Sequence, residues 1–242
     1  MVAASHTSVA EREGIRNRIA EIERQLDEHR YRPGPWELVL KDLRALHPDE
    51  RAELKGEVSR ISGKLHRRDG RATLSLTAGL AIEGALTVIA TVLIIVAQQN
   101  HSNLLGIIAA AIWVMTFQPL LKIGVGYLLG VEYEYAYLYG AEPRFKMRYG
   151  DFIAAPRWAR ILLHLSGTVG SPLGAWLATI CLPNDLTIAI DVCWVLFWIV
   201  VAVNVASFLL ALGGVRRLGP FKASYSSGGA AALDLREGLE MK

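Results

Sequence analysis

A chain of 242 residues can hold one soluble domain or a small membrane domain with an appendage. Its hydrophobic fraction of 52% and mean hydropathy of +0.29, beside 20% charged residues, exclude an evenly mixed soluble fold, and the charges do crowd into residues 1–71, 131–160 and the stretch beyond Gly214. A net charge of +3 with a pI near 8.9 is compatible with nucleic-acid binding, but the basic residues flank apolar runs, where they act as topology signals, so nucleic acid is discounted as a partner.

Residues 1–70 read as a cytoplasmic helical arm. Ser8 with Glu11 makes a capping box ahead of a seam of Ile15, Ile19, Ile22 and Leu26. Pro33, Gly34 and Pro35 break that helix, Trp36, Leu40 and Leu43 repeat the spacing, and after Pro48 a third stripe carries Leu54, Val58, Ile61 and Leu65. The seams are shorter than a full coiled coil and suit a helical hairpin or a small self-associating bundle, which makes the arm an interaction module. The competing reading is an amphipathic arm on the anionic inner leaflet, favoured by its many Arg residues. No secretory signal is visible, and the first apolar run, after Arg71, is expected to serve as an uncleaved anchor.

Residues 71–214 contain four apolar segments, at about 72–97, 104–129, 161–182 and 186–213, each long enough for a bilayer core about 30 Å thick. The links at 98–103 and 183–185 are short, so the segments form two antiparallel hairpins. Those links carry no Lys or Arg. Lys64, Arg67, Arg68 and Arg71 precede the first span, Arg144, Lys146, Arg148, Arg157 and Arg160 lie in the middle loop 131–160, and Arg216 and Arg217 follow the last span. The expected fold is an all-α integral membrane protein of the inner membrane with both termini cytoplasmic and a flexible cytoplasmic tail at 215–242. On the third span Ser166, Gly170, Gly174 and Ala178 recur every four residues and form a smooth face for another helix, while Pro172 bends the span; Gly126 and Gly130 offer a shorter face on the second.

Ionisable groups inside spans cost roughly 2.5 to 3.5 kcal/mol each near the bilayer centre, so Glu83, Lys122 and His164 carry weight. All three fall in the inner leaflet, with Gln118 one turn deeper than Lys122 and Pro119 freeing a carbonyl beside it. A polar pocket open to the cytoplasm follows, in which Glu83 and Lys122 pair and His164 donates to a headgroup or carries a proton. Snorkelling of Lys122 and a carbonyl partner for His164 are the plain alternatives. In the middle loop, alternating Tyr from Tyr133 to Tyr139 reads as an aromatic belt, whereas Arg144, Lys146 and Arg148 alternate with Phe145, Met147 and Tyr149, so that an extended segment turns its cations one way, toward a phosphate.

Cys181 and Cys193 lack a C-x-x-C spacing and read as free buried thiols, the six His are scattered, and no nucleophile elbow or zinc-binding helix occurs. No metal or catalytic set is assigned and no cofactor is identified. The expected function is binding or translocating an amphiphilic or anionic, lipid-like substrate, with membrane lipids and a homo-oligomer or membrane complex as partners. Glu83, Gln118, Lys122 and His164 form the wall, and Arg144, Lys146, Arg148 and Tyr149 contact the headgroup. A lipid-modifying enzyme and a non-catalytic assembly subunit are the alternatives.

Overall fold

A computed structural model describes residues 9–68, 70–139, 142–215, 217–218, 221–222 and 227–240. Three helices form the arm: α1 (Val9–Asp27), α2 (Pro35–Ala45) and α3 (Pro48–Arg67). Pro35 and Pro48 occupy the first helical positions, where a missing N–H costs nothing, and Glu50 accepts the His47 N–H at 3.0 Å to close the start of α3. The expected seams meet one another. Ile15, Ile19 and Ile22 of α1, Val39 and Leu43 of α2, and Leu54, Val58 and Ile61 of α3 share one buried core. Ion pairs bracket it, with Arg60 on Glu23 at 2.7 Å, Lys64 on Asp27 at 2.6 Å and Arg18 on Asp42 at 2.7 Å. Ser8 of the expected capping box lies outside the described residues.

Four helices are long and apolar enough to cross a membrane: α4 (Leu76–Gln99), α5 (Asn103–Leu128), α7 (Arg157–Cys181) and α8 (Thr187–Leu212). Their 24 to 26 residues rise about 36 to 39 Å, enough for a hydrocarbon core about 30 Å thick. Ser75 caps α4 by accepting the Ala78 N–H at 3.1 Å, and Ser102 caps α5 through the Leu105 N–H at 3.4 Å. Val88 on α4 is 63% exposed and Trp198 on α8 is 61% exposed, with Ile95, Val203 and Leu209 also bare, a surface that suits acyl chains and not water. The chain is a multi-pass membrane protein.

Both hairpins turn at the same end of the bundle, where Gln98 donates to the Cys181 carbonyl at 2.5 Å, Asn103 accepts the Ala189 N–H at 2.9 Å and His101 pairs with Asp185. This is called the turn end; the opposite one, which bears the arm, is the arm end. The small-residue face of α7 is used within the chain. A side chain at Gly170 would strike the α5 backbone at Gln118, 2.6 Å away, and one at Gly174 would strike the Trp113 carbonyl, also 2.6 Å away, so α5 and α7 touch backbone to backbone.

The fold is predominantly helical, consistent with the expected all-α membrane protein, and also holds a small sheet. Strands β1 (Thr73–Leu74), β2 (Tyr133–Tyr139) and β3 (Glu142–Met147) pair antiparallel in that order, with Ala136 opposite Phe145 and Tyr137 opposite Arg144. The Tyr alternation thus marks a strand, in which side chains point to opposite faces by turns. Gly79 of α4 leaves room for the Phe145 ring, which a side chain there would meet at 3.0 Å. The following helix α6 (Tyr149–Ala154) packs on α3, with the Gly150 N–H donating to Ser59 Oγ at 2.9 Å, and Ile153 joins the arm core.

The tail, expected as flexible, folds back. A short ribbon of β4 (Arg217–Leu218) and β5 (Phe221–Lys222) precedes α9 (Ser227–Glu240), which packs on α7 and α8 with Ser227, Ala231, Ala232 and Asp234 buried. Ala231 and Ala232 carry too little bulk to announce a buried face in the sequence. Arg216 lies outside the described residues.

Candidate functional site

Three of the expected wall residues come together where α9 enters the bundle. Gln118 of α5 donates to Ser227 Oγ at 3.5 Å and accepts from Ser171 Oγ of α7 at 3.4 Å. Gly167 makes this approach possible: a side chain there would lie 3.4 Å from the Lys122 stem and would collide with Ser227. One turn nearer the arm end on α7, His164 Nε2 stands 3.5 Å from Asp234 Oδ2 of α9, with side-chain exposures of 12% and 5%. The other ring nitrogen, Nδ1, is buried without a hydrogen-bond partner among the described residues. Gln118, Lys122 and His164 therefore lie in one polar cluster with Ser227 and Asp234 of α9.

Glu83 belongs elsewhere. It is 1% exposed on α4, one turn beyond Gly79 and the strands that Gly79 packs against, and its carbonyl accepts Thr87 Oγ1 at 2.8 Å. Among the described residues no ion pair joins it to Lys122. The charge acting on Lys122 is that of Arg144, another cation, and the Lys122 carbonyl accepts the Tyr133 hydroxyl at 3.0 Å.

The expected row of headgroup cations is largely engaged by the protein. Lys146 donates to Ser62 Oγ of α3 at 2.6 Å, and burial pulls its ammonium down to about 8, partly offset by Glu134. Arg148 pairs with Glu132 and lies 3.8 Å from Asp151, and the Glu132 contact, then Asp151, holds its guanidinium above the ordinary value. Tyr149 is different. Its hydroxyl accepts Arg44 Nη2 at 3.4 Å, its ring stacks near Phe152 at 5.6 Å, and burial raises its pKa.

Two further cations meet at this junction of arm and bundle. Arg51 of α3 is 6% exposed and Arg160 of α7 is 4% exposed. Burial and then the nearby Arg160 pull the Arg51 guanidinium below its ordinary value. Both have a signal in the sequence. Arg51 falls in phase with Leu54, Val58 and Ile61, and Arg160 in phase with Leu163, Gly167 and Gly170, so each sits on the buried stripe of its helix.

Beside the pocket, α7 and α8 leave an apolar groove of about 360 Å³ lined by Thr168, Pro172, Trp176, Phe197, Val201 and Asn204. Its Asn204 end lies at the level of α9, where the Gly228 N–H donates to Asn204 Oδ1 at 3.4 Å. Among the described residues no group of three His, Cys, Asp or Glu side chains is placed to hold a metal ion. No family model, no curated protein and no solved structure matches the chain.

Proposed function

We propose that this protein binds an anionic amphiphile, holding its polar part in the pocket of Gln118, Lys122 and His164 and its acyl chain in the α7–α8 groove. The observation that carries this reading is the convergence of a lysine, a histidine and a glutamine inside apolar helices, next to a groove of acyl-chain character. A half-buried cation inside an apolar helix is expensive, and an anionic headgroup would supply a counter-charge to Lys122. The positive-inside rule puts the arm end in the cytoplasm, because Lys and Arg flank that end and avoid both turns, so the amphiphile enters from the inner leaflet of a cell membrane. The small-residue face is consumed between α5 and α7, and the pocket asks for no second copy.

Mass spectrometry of lipids retained by the purified chain tests this. An anionic lipid enriched over the bulk membrane extract is expected, and Lys122→Met should remove that enrichment while leaving the elution volume unchanged. Retention that mirrors the bulk extract in both proteins would sink the reading.

A further inference from the structure

We propose that Arg51 and Arg160 form a phosphate site at the junction of arm and bundle, so that the amphiphile of this protein carries a phosphomonoester. The inference rests on the amphiphile reading and adds the phosphate from a separate set of groups.

Both arginines are more than nine-tenths buried as residues, and Nε of Arg51 and both Nε and Nη1 of Arg160 have no hydrogen-bond partner among the described residues. Among the described residues, the charged group that acts on Arg51 is Arg160. The fold therefore places Arg51 near a second buried cation, Arg160, and neither forms an ion pair among the described residues. The carboxylate that feels Arg160 is Asp234, which is drawn toward His164 while its backbone carbonyl accepts Arg157 Nε at 3.1 Å. Arg160 also lies over the Phe152 ring at 5.9 Å, a cation–π contact that supplies no acceptor oxygen.

Arginine forks match phosphate oxygens in bidentate geometry, and a phosphomonoester dianion would neutralise both charges at once. The hydroxyl of Tyr149 and the Arg44 guanidinium bonded to it border the same place, since Arg44, Asp234 and Arg160 all act on that hydroxyl. One turn deeper on α7 comes His164, then Gly167 with Lys122 against it, so a headgroup held at Arg160 continues directly into the polar pocket. Lys146 of β3 and Arg148 just after it do not compete for this role, because they are bonded to Ser62, Glu132 and Asp151.

The full chain in neutral detergent is titrated with inorganic phosphate, with phosphatidic acid and with phosphatidylcholine, and the thermal midpoint is followed. Phosphate should raise the midpoint saturably, phosphatidic acid should do so at a concentration at least tenfold lower, and phosphatidylcholine should not. Arg51→Gln and Arg160→Gln should each raise the ligand-free midpoint, by removing the repulsion, and weaken the response at least tenfold. Arg160→Lys, which keeps the charge but loses the fork, should fold and also bind more weakly. Lys122→Met should abolish the advantage of phosphatidic acid and spare the response to phosphate. If phosphate acts but phosphatidic acid has no advantage, the phosphate site stands and the amphiphile reading fails. If phosphatidic acid and phosphate both leave the midpoint unmoved, or if the Arg variants respond like the parent, the phosphate site is wrong. It is equally wrong if the Arg→Gln variants lower the ligand-free midpoint, since the guanidiniums would then be structural.

Discussion

Lys146 shows how one side chain can carry a charge and yet be unavailable to a ligand. Strand β3 turns it toward α3, where Ser62 takes its proton-bearing end and Glu134 offers only partial compensation for burial. Its folded pKa of about 8 lies below the ordinary value of 10.5, so between those limits the unfolded chain binds a proton that the folded chain does not. Stability should therefore rise with pH from about 8 to 10.5, and Lys146→Met should flatten that rise in a thermal-midpoint series; a parent profile that falls across the window would contradict the burial of this ammonium. The same residue marks a limit of sequence reading. An extended segment turns Arg144 and Lys146 one way and Phe145 and Met147 the other, as β3 does, but periodicity cannot say which face meets another element, and Arg148 and Tyr149 fall beyond the strand. Arg51 and Arg160 are legible in a different way, as charges in phase with a buried stripe, a cue easily masked by reading basic residues as topology signals alone.

Among the elements, the four long helices are readable because span length, capping and short turns all agree, and their ends fall within a few residues of the apolar segments. The beginning of α7 at Arg157 matters most, since it places Arg157 and Arg160 on a helix instead of in a loop. The least legible element is α9. Its buried face is built from Ser227, Gly228, Ala231 and Ala232, small residues whose close approach to α7 and α8 depends on Gly167 and on the Asn204 backbone, all distant in sequence. Because Ser227 and Asp234 contact Gln118, Gly167 and His164, deleting residues 227–242 should lower the thermal midpoint and speed amide exchange in α7 around His164 and Gly167. Unchanged exchange in that helix would show that α9 is not needed to hold the cluster in place.

At the scale of the whole molecule, a compact three-helix arm stands at one end of a four-helix bundle, with the sheet and α6 between them. The arm's seams, whose sequence pattern suggests an outside partner, are satisfied by one another and by Ile153. Its outward role is at the junction, where α3 supplies Arg51 and α2 supplies Arg44 next to the first turns of α7. The bundle is thus polarised: its turn end is held by backbone and side-chain contacts such as Gln98 to Cys181, while buried Arg160 and half-buried Lys122 and His164 lie toward the arm.

That polarity locates the most direct test, a photoreactive amino acid placed at Thr168, where the groove meets the pocket, and illuminated in native membranes before purification and intact-mass analysis. Adducts dominated by one anionic lipid, and lost when Lys122→Met is combined with the probe, are the expected result. Adducts that reproduce the composition of the surrounding bilayer, with or without Lys122, would contradict a specific amphiphile site.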